Sequence, residues 1–204
     1  MELSPAQHDA LVELLNIGFG RAGASLSSLT GHRVLLDVPH VAMHPVDQLN
    51  ATLAGYMSDE VASVHQQFSG PVGGDAMLLL DPGAAATLKE LLTNEPALPL
   101  ALDTSAREVL MEVGNILLNA CLGTFGNLLK VPVSFSVPDI DVASIRAVVD
   151  RLIGPSDAFR YALVVTAGFR LRDAEVTGYV VVVLTVQSLT RLLVAVEQWE
   201  REQE

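Results

Sequence analysis

Apolar positions recur along the chain at two periods, and their order predicts the architecture. Leu11, Leu14, Leu15, Phe19, Ala22 and Leu26 repeat at helical spacing and give a wide apolar face to a long helix over 11–31. Ser4, Pro5 and Gln7 supply an N-cap, a proline for the first helical position and a capping-box partner, so the helix starts there; Gly31 stops it. A short strand over 33–38 ends at Pro39, a second extended piece covers 41–43 before Pro45, and 46–54 is short and irregular with one helical turn. Strands over 61–68 and 76–80, joined through Gly70, Pro71, Gly73 and Gly74, predict a hairpin. Asp81 and Pro82 open a helix over 83–92, and 94–99 reads as a linker.

The plan then repeats. Asp103, Thr104 or Ser105 caps a second long helix over 110–129, with Glu108 as a capping-box glutamate if Ser105 is the cap. A strand over 131–137 carries Val131, Val133, Phe135 and Val137 on one face and closes at Pro138; a short helix over 144–153 ends at Gly154 and Pro155. Residues 159–171 alternate, with Tyr161, Leu163, Val165, Ala167, Phe169 and Leu171 on one face. A turn at 173–175 leads into a more buried return strand over 176–184 and a closing helix over 188–198. Hairpins imply antiparallel strands, so the expected fold class is α/β of the α+β kind, an antiparallel sheet covered by two long helices and several shorter ones.

The repetition extends to residue identity. At an offset of 99 residues Leu11 falls on Leu110, Glu13 on Glu112, Asn16 on Asn115, Ile17 on Ile116, Leu29 on Leu128, Val34 on Val133, Val38 on Val137 and Pro39 on Pro138. A shared amphipathic period would align the apolar residues but not glutamate, asparagine and a distant proline. One domain over 1–204 is expected, made of two half-repeats, about 1–98 and 99–204, with pseudo-two-fold symmetry around one core. Gly18, Gly20 and Gly23 each cost a helix roughly 1 kcal/mol relative to alanine, and close packing against the sister helix is the expected compensation.

Composition narrows the partners. With 50% hydrophobic and 18% charged residues the chain can bury a sizeable core. A net charge of -12 opposes nucleic acid or an anionic membrane, because phosphates demand clustered Lys and Arg; plain solubility accounts for it more simply than a basic partner does. Cys121, the single cysteine, excludes an internal disulfide and reads as a small buried apolar residue beside Leu117, Leu118 and Leu122. The start lacks a basic region followed by an apolar run. The uncharged stretch 113–129 contains Asn115, Asn119, Asn127 and three glycines, so a buried central helix in a cytoplasmic protein is expected, with no membrane span.

Familiar catalytic patterns are missing from the sequence: there is no glycine-rich phosphate loop with its lysine and no nucleophile elbow. His40 and His44 lie in extended chain between Pro39 and Pro45, where a spacing of four does not bring side chains together; His8, His32 and His65 are isolated and expected in surface or capping roles. No metal site is expected. What remains is Asp9, Glu13 and Asn16 in a row on one helix face, and the second pair, Glu112 and Asn115. An exposed polar face explains one pair, and common ancestry explains repetition. Asparagine nevertheless costs a helix interior more than leucine or alanine. Its carboxamide, with one acceptor and two donors, suits orienting a water, and a glutamate one turn earlier can engage a cation, so hydrolysis is chemically possible.

Asp9-x-x-x-Glu13-x-x-Asn16 followed 23 residues after Asn16 by Pro39, and Glu112-x-x-Asn115 with Pro138 at the same interval, resemble the signature of the CheC, CheX and FliY family of chemotaxis phosphatases. Residues 16–22 and 114–120 are also similar to family segments, and two motifs in a chain of this length look most like CheC-type members. One departure is Glu108, where the family usually shows Asp or Ser. The resemblance implies that the substrate is the aspartyl phosphate of a CheY-type response-regulator receiver. Asn16 and Asn115 would position the attacking water, Glu13 and Glu112 would pair with the receiver's active-site lysine, and Asp9, Glu108, Pro39 and Pro138 would support them. It further implies no cofactor of its own, Mg2+ being held by the receiver, and makes the deamidase CheD a further candidate partner. The competing reading is a non-catalytic adaptor that binds the phosphorylated receiver or CheD. A monomer is expected, since duplication already supplies the two-fold arrangement.

Overall fold

The computed structural model describes residues 3–95, 103–153, 160–171 and 174–203. Helix α1 (Pro5–Thr30) begins at a complete capping box: Gln7 N–H donates to Ser4 Oγ at 3.1 Å and Ser4 N–H to Gln7 Oε1 at 2.9 Å. Gly31, at φ 70°, ends it. Then come β1 (Val34–Leu36), β2 (His40–Pro45), a 3-10 turn (Val46–Gln48), α2 (Leu49–Ala54), the hairpin β3 (Glu60–Ser69) and β4 (Gly74–Leu80), and α3 (Pro82–Thr93). The order recurs from α4 (Thr104–Leu129) through β5 (Ser134–Phe135), β6 (Asp139–Ser144), α5 (Ile145–Ile153), β7 (Arg160–Leu171), β8 (Ala174–Thr185) and α6 (Val186–Gln203).

One antiparallel sheet of eight strands runs β1-β7-β8-β4-β3-β5, with β2 also on β7 and β6 also on β3. The two hairpins meet at β4 and β8, where Leu78 stands opposite Val180. Each outer position is then filled by a broken strand from the other part of the chain, β1 and β2 on β7, β5 and β6 on β3. Pro39 and Pro138 sit at the two breaks, where a residue without an N–H interrupts the ladder of an outer strand at least cost.

Helices cover both faces. One face of β3, β4, β7 and β8 packs with α1, α3, α4 and α6 around Phe19, Leu15, Leu117, Leu78, Val182 and Phe169; the other packs with α2 and α5 around Leu49, Leu53, Met77, Val164, Val181 and Leu152. Residues 180–184 are therefore apolar without alternation, as a strand buried on both faces requires. Tyr161, Leu163, Val165, Ala167, Phe169 and Leu171 do share the α1 and α4 side. By length and composition α4 could cross a membrane, but more than half of its apolar window is packed inside the fold.

Several expectations need correction. Asp103 caps α4, its carboxylate accepting from Ala106 N–H at 2.7 Å, so Glu108 lies beyond the first turn, exposed, and forms no capping box. The strand expected over 131–137 shrinks to β5, because Val131 N–H finishes the α4 end on Gly126 O and Val137 is 88% exposed. Strand β6 went unforeseen, since Asp139 and Asp141 dilute its β-forming character. Asp81 stands at the N-cap of α3, yet its carboxylate serves Ser58 rather than the helix. Gly18 does meet the sister helix, an added Cβ lying 3.1 Å from Ala120 O and Cys121 Cα. Gly23 instead faces Val34 O of β1, and Gly20 faces nothing within 4 Å. The end of the 94–99 linker, the stop at Gly154 and Pro155, Phe159 and the start of the 173–175 turn lie outside the described residues.

Gly114 is the tightest helix-to-sheet contact: a Cβ there would sit 2.5 Å from Val64 Cγ1 and 2.8 Å from its Cβ, on a side chain stiff at χ1. Gly114→Ala should lower the unfolding free energy by about 1–3 kcal/mol through overpacking. Gly20→Ala, with open space, should raise it by up to ~1 kcal/mol through helix propensity. Urea unfolding of the two variants reads both.

Candidate functional site

The apolar stripe of α1 turns Leu11, Leu15 and Phe19 inward, which leaves Asp9 and Glu13 exposed and Asn16 half-buried on the outer side. Asp9 Oδ1 lies 3.3 Å from His8 Nδ1, and His8 Nε2 lies 3.2 Å from Val41 O, so this histidine joins the start of α1 to β2. On α4 the same geometry leaves Glu108 and Glu112 exposed and Asn115 half-buried. No hydrogen bond or ion pair among the described residues joins the α1 pair to the α4 pair, so each helix presents its pair separately. Pro39 and Pro138 stand in the strand breaks and touch neither carboxamide through any hydrogen bond among the described residues.

Three residues that the sequence reading missed surround Asn115. Its Oδ1 accepts from Asn119 Nδ2 at 2.8 Å and from Gln66 Nε2 at 3.4 Å. Gln66, on β3 and 1% exposed, also donates to the Ser136 carbonyl at 2.8 Å. Ser136 in turn is fixed to the strand: its Oγ accepts from Gln67 N–H at 3.0 Å, and its own N–H donates to Gln67 O at 2.9 Å. A signal existed, because Gln66 is the polar member of an inward row between Val64 and Phe68, and Asn119 follows Asn115 by four.

A concavity of about 720 Å³ lies beside α1 and α6 and is lined by Leu14, Ile17, Arg21, Lys130, Arg191 and Trp199 among others, and by none of the Glu or Asn pairs. Both pairs therefore lie outside that concavity, with their carboxylates exposed on the helix surface and available to a partner. Among the described residues no three His, Cys, Asp or Glu side chains gather as a metal-binding group. Burial pushes the Cys121 thiol up to about 12, so it packs as an apolar residue and offers no nucleophile.

His65, the neighbour of Gln66 on β3, pairs with Asp75 across β3 and β4 at 3.0 Å, a half-buried cross-strand role in place of the surface or capping one expected. Burial alone would raise the Asp75 carboxyl, but hydrogen bonds from His65 and Gln67, with the nearby His65 and Arg160 charges, hold it below its ordinary value.

No protein-family model matches the chain. Among known proteins, it is 26% identical over 196 residues to the CheY-P phosphatase CheC of Bacillus subtilis (strain 168), an alignment covering 93% of each. Among solved structures, FliY of Thermotoga maritima matches with a TM-score of 0.77 at 19% identity, over 97% of this chain and 99% of that one. The FliM middle domain of H. pylori matches with a TM-score of 0.64 at 10% identity, over 95% and 99%. The antiparallel sheet covered by helices is thus the fold these proteins share.

A carboxyl held below its ordinary value stabilises the fold above its unfolded pKa of about 4 and loses that contribution as pH falls through the lower folded value. The wild type should lose stability as pH drops below about 4, and Asp75→Asn should lose less over the same interval. Thermal melts across a pH series compare the two slopes.

Proposed function

We propose that the chain, a homologue of CheC, hydrolyses the aspartyl phosphate of a CheY-type response-regulator receiver at two sites, Glu13 with Asn16 and Glu112 with Asn115. The observation that carries this reading is the exposed carboxylate and half-buried carboxamide one turn apart on the outer face of each long helix. The chain's 26% identity over 196 residues to a protein named for acting on phosphorylated CheY supports it.

The chemistry follows from what such a pair can supply. The receiver brings the phosphoryl group, its own lysine and the Mg2+ that neutralises developing charge, so the phosphatase has only to dock and to orient. Glu13 or Glu112 pairs with the lysine and fixes the dock. The asparagine carboxamide enters beside the phosphoryl group and holds a water in line with the bond to the aspartyl oxygen. Water attacks phosphorus, that bond breaks, the receiver's carboxylate is regenerated, and inorganic phosphate leaves. Asp9 and Glu108, one turn before each glutamate, add acceptor groups at the rim, and Pro39 and Pro138 shape the adjoining outer strands. The reading includes two half-repeats in one cytoplasmic, monomeric domain without a resident cofactor.

Because this catalysis is positioning, losing one carboxamide should cost on the order of a hundredfold at that site. The test is the decay of a phosphorylated CheY-type receiver with Mg2+ in the presence of wild type, Asn16→Ala, Asn115→Ala and the double variant. Accelerated decay with wild type, abolished in the double variant, is the expected result. Binding of the phosphorylated receiver without faster decay would replace the phosphatase with an adaptor.

A further inference from the structure

The two sites differ in what holds the asparagine. A carbonyl oxygen only accepts, so the Gln66 atom 2.8 Å from Ser136 O is its NH2 group. That same NH2 faces Asn115 at 3.4 Å, which turns the Asn115 oxygen toward it, and the Asn119 NH2 at 2.8 Å gives that oxygen a second donor. Two donors fill its two lone-pair directions, and Asn115 Nδ2 has no partner among the described residues, so the carboxamide presents its donor side away from the network.

This arrangement is poor for stability. Gln66 Oε1 and Asn119 Oδ1 are buried without a partner among the described residues, and a buried acceptor left unmatched loses its hydration without compensation. Apolar residues would pack the same space more favourably. At the first site, Asn16 makes no side-chain hydrogen bond among the described residues, Gly20 occupies the place four residues on, and the helix-facing side of β7 from Leu163 to Leu171 is apolar.

We propose that Gln66 and Asn119 are positioning residues that set the Asn115 carboxamide for hydrolysis, and that Gly20 leaves Asn16 without this support. The inference rests on the phosphatase reading of the two pairs. Its consequence is unequal sites: Asn115 enters the receiver already oriented, whereas Asn16 must be ordered on docking, which lowers kcat and leaves docking unchanged.

The experiment isolates each site and varies its support, with decay of a phosphorylated CheY-type receiver measured over a range of receiver concentrations. In the Asn16→Ala protein, where only the second site acts, Asn119→Gly and Gln66→Met should each lower kcat on the order of tenfold with KM unchanged, while the melting temperature of Gln66→Met does not fall. In the Asn115→Ala protein, where only the first site acts, Gly20→Asn should raise kcat, since the new side chain has open space and a carboxamide four residues away. Unchanged kcat in Asn119→Gly and Gln66→Met, alongside lost activity in Asn16→Ala with Asn115→Ala, would overturn the positioning role and leave the phosphatase standing. Lower kcat matched by lower melting temperatures in both, with no gain from Gly20→Asn, would make the residues structural and overturn it equally. Failure of the wild type to hasten decay at all would overturn the phosphatase reading and this inference together.

Discussion

The pairing of β4 with β8 is the constraint on which the fold depends. It joins two hairpins into one sheet whose middle is covered on both faces, so every backbone donor and acceptor there must be met within the ladder, where water cannot help. Neither hairpin supplies its own outer neighbour; β1 and β2 serve β7, and β5 and β6 serve β3. Since each outer strand leaves the end of a long helix, this exchange also sets where α1 and α4 lie. Gly18, against Ala120 and Cys121, lets the two helices approach backbone to backbone.

A site on such helices inherits their rigidity. Glu13 and Glu112 project from elements anchored along their whole inner stripe, and the half-buried asparagines sit where the helix surface meets the packed interior. This favours positioning chemistry, in which a group contributes by being held still. Exposure matters as much, because a carboxylate on the outer face of a helix is free to meet a group that another molecule presents.

Most of the fold was legible in the residues because local signals and global packing agree. Ser4, Pro5 and Gln7 mark the start of α1 through interactions that close within four residues, and the row from Tyr161 to Leu171 alternates because one face of β7 meets the long helices. Legibility failed where a partner distant in sequence decides the outcome. Strand β6 exists because β3 offers it a ladder, despite Asp139 and Asp141, and Gly23 is explained by a strand carbonyl rather than by the sister helix. The Glu and Asn pairs were visible as a repeated, locally unfavourable choice. Gln66 was visible only as a polar residue in an inward row; its link to Asn115 was not, since only the folded sheet carries a glutamine of β3 beneath an asparagine of α4.

That last contact links the sheet's closure to the Asn115 carboxamide. Gln66 belongs to the first hairpin, while Asn115 and Ser136 belong to the later part of the chain, and they meet because β5 and β6 cross over to pair with β3. The exchange that satisfies an outer strand therefore also delivers a polar side chain, with its orientation already set by a backbone carbonyl, to the underside of α4. At α1 the same exchange delivers β7, whose helix-facing side is apolar and has nothing to offer a carboxamide. Two helices with matching motifs thus differ in what holds the asparagine, partly within the helix, Asn119 against Gly20, and partly in the strand beneath.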